Sequence, residues 1–261
     1  MNIKGKVGLG FRRDIADEFI SNNVISPKFI ELAPENWIDM GGYWRKKLKA
    51  ASEKYPITSH GLSLSIGSPD PIDFEWLKKV KLFLDEFNVQ IYSEHLSFNS
   101  CSNAHLFDLL PIPFREDAVQ HVSQRIREVQ DFLERKIAIE NVSYYTPVAP
   151  EMDEQTFISS ILEEADCEML FDVNNVYVNA FNHNYDAKDS FKWAKLIENQ
   201  FKKRAGRHSR GVKTSADLGH SLQILKFTKI PTVIVECGFI TNNAEANYLG
   251  SVYGQEIIAS A

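Results

Sequence analysis

Short apolar runs alternate with longer stretches of helical periodicity from Val7 to Asp172. Val7–Phe11, Lys28–Leu32, Ile57–His60, Val89–Glu94, Lys136–Glu140 and Cys167–Asp172 are four to six residues long and read as buried strands. Between them, apolar residues recur at helical spacing. Ile15, Phe19 and Ile20 follow the first run, and Trp44, Leu48 and Ala51 share one face of Tyr43–Tyr55. Leu77, Val80, Leu84 and Phe87 mark a helix over Phe74–Phe87, and Val119, Val122, Ile126, Val129 and Leu133 mark another over Arg115–Arg135. Thr156–Ala165 completes the series. Pro34 stops the second strand, Gly67–Pro71 reads as a turn, and the segment holding Leu109-Leu110-Pro111-Ile112-Pro113 reads as a long loop.

Strict strand–helix alternation predicts parallel strands joined by helical crossovers, an α/β fold. Six units within the first 172 residues average roughly 30 residues each, the period of a TIM-type (β/α)8 barrel. An open doubly wound sheet is the rival. It is disfavoured because no Gly-rich phosphate loop opens a helix, and Gly8-Leu9-Gly10 lacks a third glycine.

Four of the strands end on side chains able to bind a metal: His60, His95, Glu140 and Asp172. In a barrel, strand C-termini form the active-site face. A lone histidine there is more often structural, and Asp172-Val173-Asn174-Asn175 could merely satisfy turn backbone. Four such ends in succession point to a metal site, because buried charge is costly unless paired or metal-bound. Imidazole with carboxylate suits iron, manganese or zinc, and bridging acids suggest more than one ion.

Composition narrows the class. The chain has 261 residues, 44% hydrophobic, with a formal net charge of −6. That balance argues against a general nucleic-acid footprint. Cys101, Cys167 and Cys237 are far apart and form no Cys-x-x-Cys, so a disulfide framework is not expected. No apolar stretch approaches the ~18 residues of a membrane span, and no signal-peptide core opens the chain. The expectation is a cytoplasmic protein with no membrane or nucleic-acid partner.

Ordered motifs over residues 7 to about 186 resemble the methanobactin-oxidase (MbnB-like) family. They include Glu31-Leu32-Ala33-Pro34-Glu35-Asn36-Trp37, Ser59-His60-Gly61-Leu62-Ser63, Ser93-Glu94-His95-Leu96-Ser97, Ile139-Glu140-Asn141 and Asp172-Val173-Asn174-Asn175-Val176-Tyr177. The resemblance implies a TIM barrel holding two or three irons that oxidises a peptidyl cysteine with O2. It also implies a peptide substrate and a partner protein that presents it. By that likeness His60, His95, Glu140 and Asp172 are metal ligands, and Glu35, Asn36, Asn141, Asn175 and His183 lie around the site. Zinc or manganese are the alternatives to iron.

Beyond Asp186 the pattern changes. The histidine-containing motif expected at the seventh strand is not found. Residues 190–261 instead resemble the C-terminal part of zinc-dependent N-acetylmuramoyl-L-alanine amidases, through Arg210-Gly211-Val212-Lys213 and Pro231-Thr232-Val233-Ile234-Val235-Glu236-Cys237-Gly238. That likeness makes Glu236 a catalytic acid/base. The amidase zinc motifs are missing, so the chain reads as two parts, a barrel portion over 1–189 and an amidase-like segment over 190–261. A natural fusion, a misassembled gene and an engineered chain all fit.

Val233–Glu236 could serve as strand eight and bring Glu236 to the metal. Strand seven is harder: Leu222–Phe227 leaves only Thr228–Pro231 before the next strand, and a parallel crossover needs ~10–12 residues. The barrel is therefore expected to be incomplete or irregular over its last two units. His208 and His220 are weak substitutes for missing ligands. Three functions remain open: an iron-dependent peptide oxidase with a compromised site, a zinc-dependent cell-wall amidase fragment, and an inactive chimeric protein.

Overall fold

The computed structural model describes residues 7–21, 27–102 and 104–183, with isolated positions beyond. The chain divides into two compact units, Lys6–Asp172 (with Met1) and Val173–Ala261 (with Asn2–Gly5). In the first unit, β1 (Gly8–Gly10), β2 (Phe29–Leu32), β3 (Ile57–Gly61) and β4 (Ile91–His95) come first. A hairpin of β5 (Ser97–Cys101) and β6 (Ala104–Pro111) follows, then β7 (Ala138–Glu140) and β8 (Glu168–Leu170). The helices are α1 (Ala16–Ser21), α2 (Gly42–Ser52), α3 (Phe74–Glu86), α4 (Glu116–Leu133) and α5 (Glu154–Glu164).

Six strands form one parallel sheet in the order β1-β2-β3-β4-β7-β8. Apart from the hairpin, spatial order equals chain order. A doubly wound sheet must reverse its order at a switch point; this one does not. Each helix crosses over to the adjacent strand, which is the wall of a TIM-type (β/α) barrel. The last two units, including Leu222–Phe227 and Val233–Glu236, and the junction at residues 189–190 lie outside the described residues.

The helical stripes pack as their periodicity predicts. Leu77, Val80 and Leu84 of α3 and Val122, Ile126 and Val129 of α4 are fully buried. They cover a sheet face carrying Ile30, Ile57, Tyr92 and Ile139, each at most 1% exposed. Local chemistry sets the helix starts. Asp73 accepts the Trp76 N–H at 2.9 Å and Asp153 accepts that of Thr156 at 2.8 Å, satisfying amides that a helix leaves unpaired.

Two expectations change. The segment read as a long loop after His95 is the antiparallel hairpin β5–β6, with Ser97 opposite Pro111 and Ser102 at positive φ near its turn. Its second strand, Ala104–Pro111, carries Leu106, Leu109 and Leu110, but its described positions are half-buried or exposed, and Pro111 and Pro113 at its end suggested a loop. In the second unit, the apolar residues after Asp172 form the helix α6 (Val173–His183). The sixth strand is accordingly short.

Candidate metal centre

Strand register brings the candidates together. His60 of β3 lies opposite Ser93 of β4, and His95 of β4 lies opposite Glu140 of β7. Alternation along each strand then places His60, Ser93, His95 and Glu140 on one sheet face. Tyr92 and Glu94 fall on the other.

The donor atoms converge. His60 Nε2 is 2.7 Å and His95 Nε2 3.4 Å from Glu140 Oε2, and the two Nε2 atoms are 3.2 Å apart. One ligand atom from each residue lies within 4.8 Å of the others. Donors at ~2.0–2.2 Å around a single ion sit roughly 3.0–3.5 Å apart. Two of the three spacings fall in that range, and the third has hydrogen-bond length. Glu140 is 5% exposed.

The far ring nitrogens are anchored as metal-binding histidines require. His95 Nδ1 lies 3.0 Å from the Gly61 carbonyl, which can only accept, so this nitrogen carries the proton. In the neutral ring, Nε2 then presents a lone pair to His60 and Glu140. His60 Nδ1 meets the Ser93 hydroxyl at 2.8 Å. The donor set therefore fits a divalent ion of the borderline class.

Electrostatics separate the two rings. Burial disfavours the His60 imidazolium, but the hydrogen bond and charge of Glu140, with Glu94 and Glu31 farther off, hold its pKa above the ordinary value. Burial and the neighbouring His60 lower that of His95. Glu94 is wholly buried beside Glu35, and its carboxyl is pushed up to about 8.

The other predicted residues have varied placements. Asp172 is outside the three-residue group, with its backbone held by the buried Asn141 side chain. Glu35 Oε1 accepts the amides of Leu62 and Ser63 in the loop after His60. Asn36 is exposed and its carbonyl accepts the Arg13 guanidinium. Asn175 and His183 lie on α6 in the second unit. Glu236, His208 and His220 lie outside the described residues.

Sequence reasoning passed over four residues: Ser93, Gly61, Glu94 and Arg125. Alternation could have found Ser93, two residues before His95 on the same face. Arg125 of α4 is 7% exposed and donates to the carbonyls of Ile66 at 2.8 Å and Asp70 at 2.7 Å, tying down the loop that follows β3. No periodicity signals that role.

Comparisons with known proteins bear on the family of this chain. A UPF0276 protein of Shewanella loihica is 51% identical over 188 residues, covering 72% of this chain and 67% of that protein. Its counterpart in Shewanella oneidensis is 49% identical over the same shares of both chains. One from Alcanivorax borkumensis is 50% identical, covering 70% of this chain and 64% of its own. The chain thus spans about two thirds of the length of these relatives.

Among solved structures, a D-psicose 3-epimerase has a TM-score of 0.49 at 11% identity, covering 72% of this chain and 69% of that one. A xylose isomerase-like TIM barrel protein from Mycobacterium smegmatis, in complex with magnesium, has a TM-score of 0.48 at 10% identity, over 74% and 72%. These likenesses are distant, and nothing about the chemistry of this chain follows from them. The profile of the RiPP precursor modification enzymes MbnB/TglH/ChrH matches residues 6–203, a span that holds His60, His95, Glu140 and Asp172. With that match over most of its length, the chain belongs to the MbnB/TglH/ChrH family.

Proposed function

We propose that this protein is a metal-dependent enzyme that oxidises a cysteine of a precursor peptide, with iron held by His60, His95 and Glu140. The observation that carries the reading is the convergence of two imidazole nitrogens on one carboxylate oxygen at 2.7 and 3.4 Å, with His95 already in a ligating tautomer. Membership of a family that modifies precursor peptides supports a peptide as substrate. Asp172, just beyond β8, would join as a further ligand, and a presenting protein would deliver the peptide. Two or three irons are proposed, with zinc or manganese as alternatives.

Iron, when held by His60, His95 and Glu140, would supply one-electron redox chemistry with dioxygen. The chain supplies the rest. His60 and His95 hold the donor geometry, and Glu140 contributes the negative charge that stabilises a cation in a largely buried position. Ser93 and Gly61 fix the two rings, so their orientation is set before an ion arrives, and His60 Nε2 must give up the proton it shares with Glu140 for a metal to bind.

The family match ends at residue 203, which favours one second reading. In it the centre binds metal but does not turn over, because ligands from later strands are missing. Elemental analysis of protein purified without oxygen, beside His60→Ala, tests both. Iron at one or more per chain, lost in the variant, supports the metal centre, and oxidation of a cysteine peptide then separates the active from the inactive form. Absence of bound metal in both proteins overturns the proposal.

A further inference from the structure

The loop after His60 is held by two acidic side chains outside the three-residue donor group, Glu35 and the buried carboxyl of Glu94. Glu35, in a 3-10 turn (Pro34–Asn36) after β2, accepts the N–H of Leu62 at 2.8 Å and that of Ser63 at 3.0 Å, both on Oε1. Glu94 accepts the N–H of Leu64 and, at 2.5 Å, the hydroxyl of Tyr92. Three consecutive amides are taken by two acids. Successive backbone N–H groups make a natural seat for anionic oxygens.

One of those amides belongs to an important peptide unit. The N–H of Leu62 and the carbonyl of Gly61 are the two ends of a single planar group. Glu35 holds the N–H end, and the carbonyl end accepts the proton on His95 Nδ1 at 3.0 Å. Because the unit is planar and trans, fixing one end aims the other. Glu94 supports it from the opposite sheet face. A Cβ on Gly61 would meet Glu94 Cδ at 2.6 Å and the Tyr92 hydroxyl at 2.8 Å. Only glycine leaves room for this arrangement.

Glu35 keeps this position at a cost. Its second oxygen, Oε2, is buried and has no hydrogen-bond partner. A carboxylate oxygen left unpaired in the interior is destabilising, and such exceptions call for a functional explanation.

We propose that Glu35 is a positioning residue for the metal centre, acting on His95 through the Gly61–Leu62 peptide. The relay runs from the Glu35 carboxylate to the Leu62 N–H, across the peptide to the Gly61 carbonyl, and on to His95 Nδ1–H. It holds the tautomer whose Nε2 faces His60 and Glu140. Histidine ligands commonly lean on a carboxylate directly; here a peptide group is interposed. The consequence for metal rests on the function proposed above, whereas the consequence for the tautomer does not.

The test uses the full chain, metal-free and then titrated with Co(II). Long-range 1H–15N correlation spectra read the His95 tautomer directly. In wild type the proton is expected on Nδ1. Glu35→Ala should shift a substantial fraction to the Nε2–H form and weaken Co(II) binding about tenfold to hundredfold. Glu35→Gln keeps an acceptor oxygen and should restore both within about threefold. Arg125→Met loosens the same loop without touching the Gly61–Leu62 peptide, so it should lower the melting temperature and leave the tautomer unchanged.

The proposal is overturned if Glu35→Ala leaves His95 protonated on Nδ1 with wild-type Co(II) affinity. It is equally overturned if Arg125→Met shifts the tautomer as much. Should Glu35→Ala fail to fold, Glu35→Asp, which draws the oxygen back by one methylene, is read in the same way. Tautomer shifts as expected in a protein that binds no Co(II) would sustain the relay and sink the metal reading.

Discussion

Asn141 and Asp172 clasp each other across adjacent parallel strand ends. Asn141 Oδ1 accepts the Asp172 N–H at 2.8 Å, and Asn141 Nδ2 donates to the Asp172 carbonyl at 2.9 Å. Asn141 directly follows Glu140, so the clasp ties the end of β7 to the segment after β8. Asn141→Ala removes both bonds at a buried position. It should destabilise the metal-free protein by about 2–3 kcal/mol, from two buried hydrogen bonds at roughly 1 kcal/mol or more each. Chemical denaturation checks this. If Asp172 ligates, metal content should also fall.

Gly61 has no room for a side chain. A Cβ there collides with Glu94 and crowds the Tyr92 hydroxyl, both held in a closed interior. Gly61→Ala should therefore cost about 1–3 kcal/mol through overpacking. A shift in the denaturation midpoint at constant slope is the expected outcome. An alanine variant as stable as wild type would mean that Glu94 moves aside freely.

Arg125 is a buried cation whose partners are backbone carbonyls. Arg125→Met keeps much of the side-chain volume but leaves the Ile66 and Asp70 carbonyls without their donor. The expected loss is about 3 kcal/mol, since hydrogen bonds to charged groups are worth more than neutral ones. Differential scanning calorimetry of both proteins measures it.

The buried Glu94 carboxyl gives the metal-free protein a pH dependence of defined sign. Burial, then the charge of Glu35, raises its pKa from the ordinary value near 4.5 to about 8. Between those values the folded state binds a proton that the unfolded state has lost. Stability is therefore greatest, so far as Glu94 is concerned, below pH ~4.5 and declines as pH rises to ~8, by about 1.4 kcal/mol per pH unit at most. Glu94→Gln should flatten that slope. Denaturation of both proteins at several pH values reads the difference.

Among the described residues no helix is long and apolar enough to cross a membrane. The barrel units were legible because each needs only a local signal. An apolar run of four to six residues followed by a 3.6-residue stripe predicts a strand and its crossover, and Leu77, Val80, Val122 and Ile126 are buried accordingly. The hairpin β5–β6 was not legible. Leu106-Phe107 and Leu109-Leu110 come in adjacent pairs rather than in alternation with polar residues, and Pro111 and Pro113 suggested an irregular segment. Cross-strand hydrogen bonds make the hairpin, and they leave no side-chain pattern.

By itself the sequence determined that His60, His95 and Glu140 fall at strand C-termini, and that the sheet would be parallel; Asp172 lies two residues beyond the end of β8. Hydrophobic periodicity is a property of the chain, so it can be read along the chain. The tertiary structure decided that donor atoms of His60, His95 and Glu140 lie within 4.8 Å of one another, since only strand register brings residues 35 and 45 positions apart together on one sheet face. It also decided the tautomer of His95, through a carbonyl at Gly61 and a carboxylate at Glu35. Backbone groups are the same at every position, and only the fold tells which of them faces a side chain.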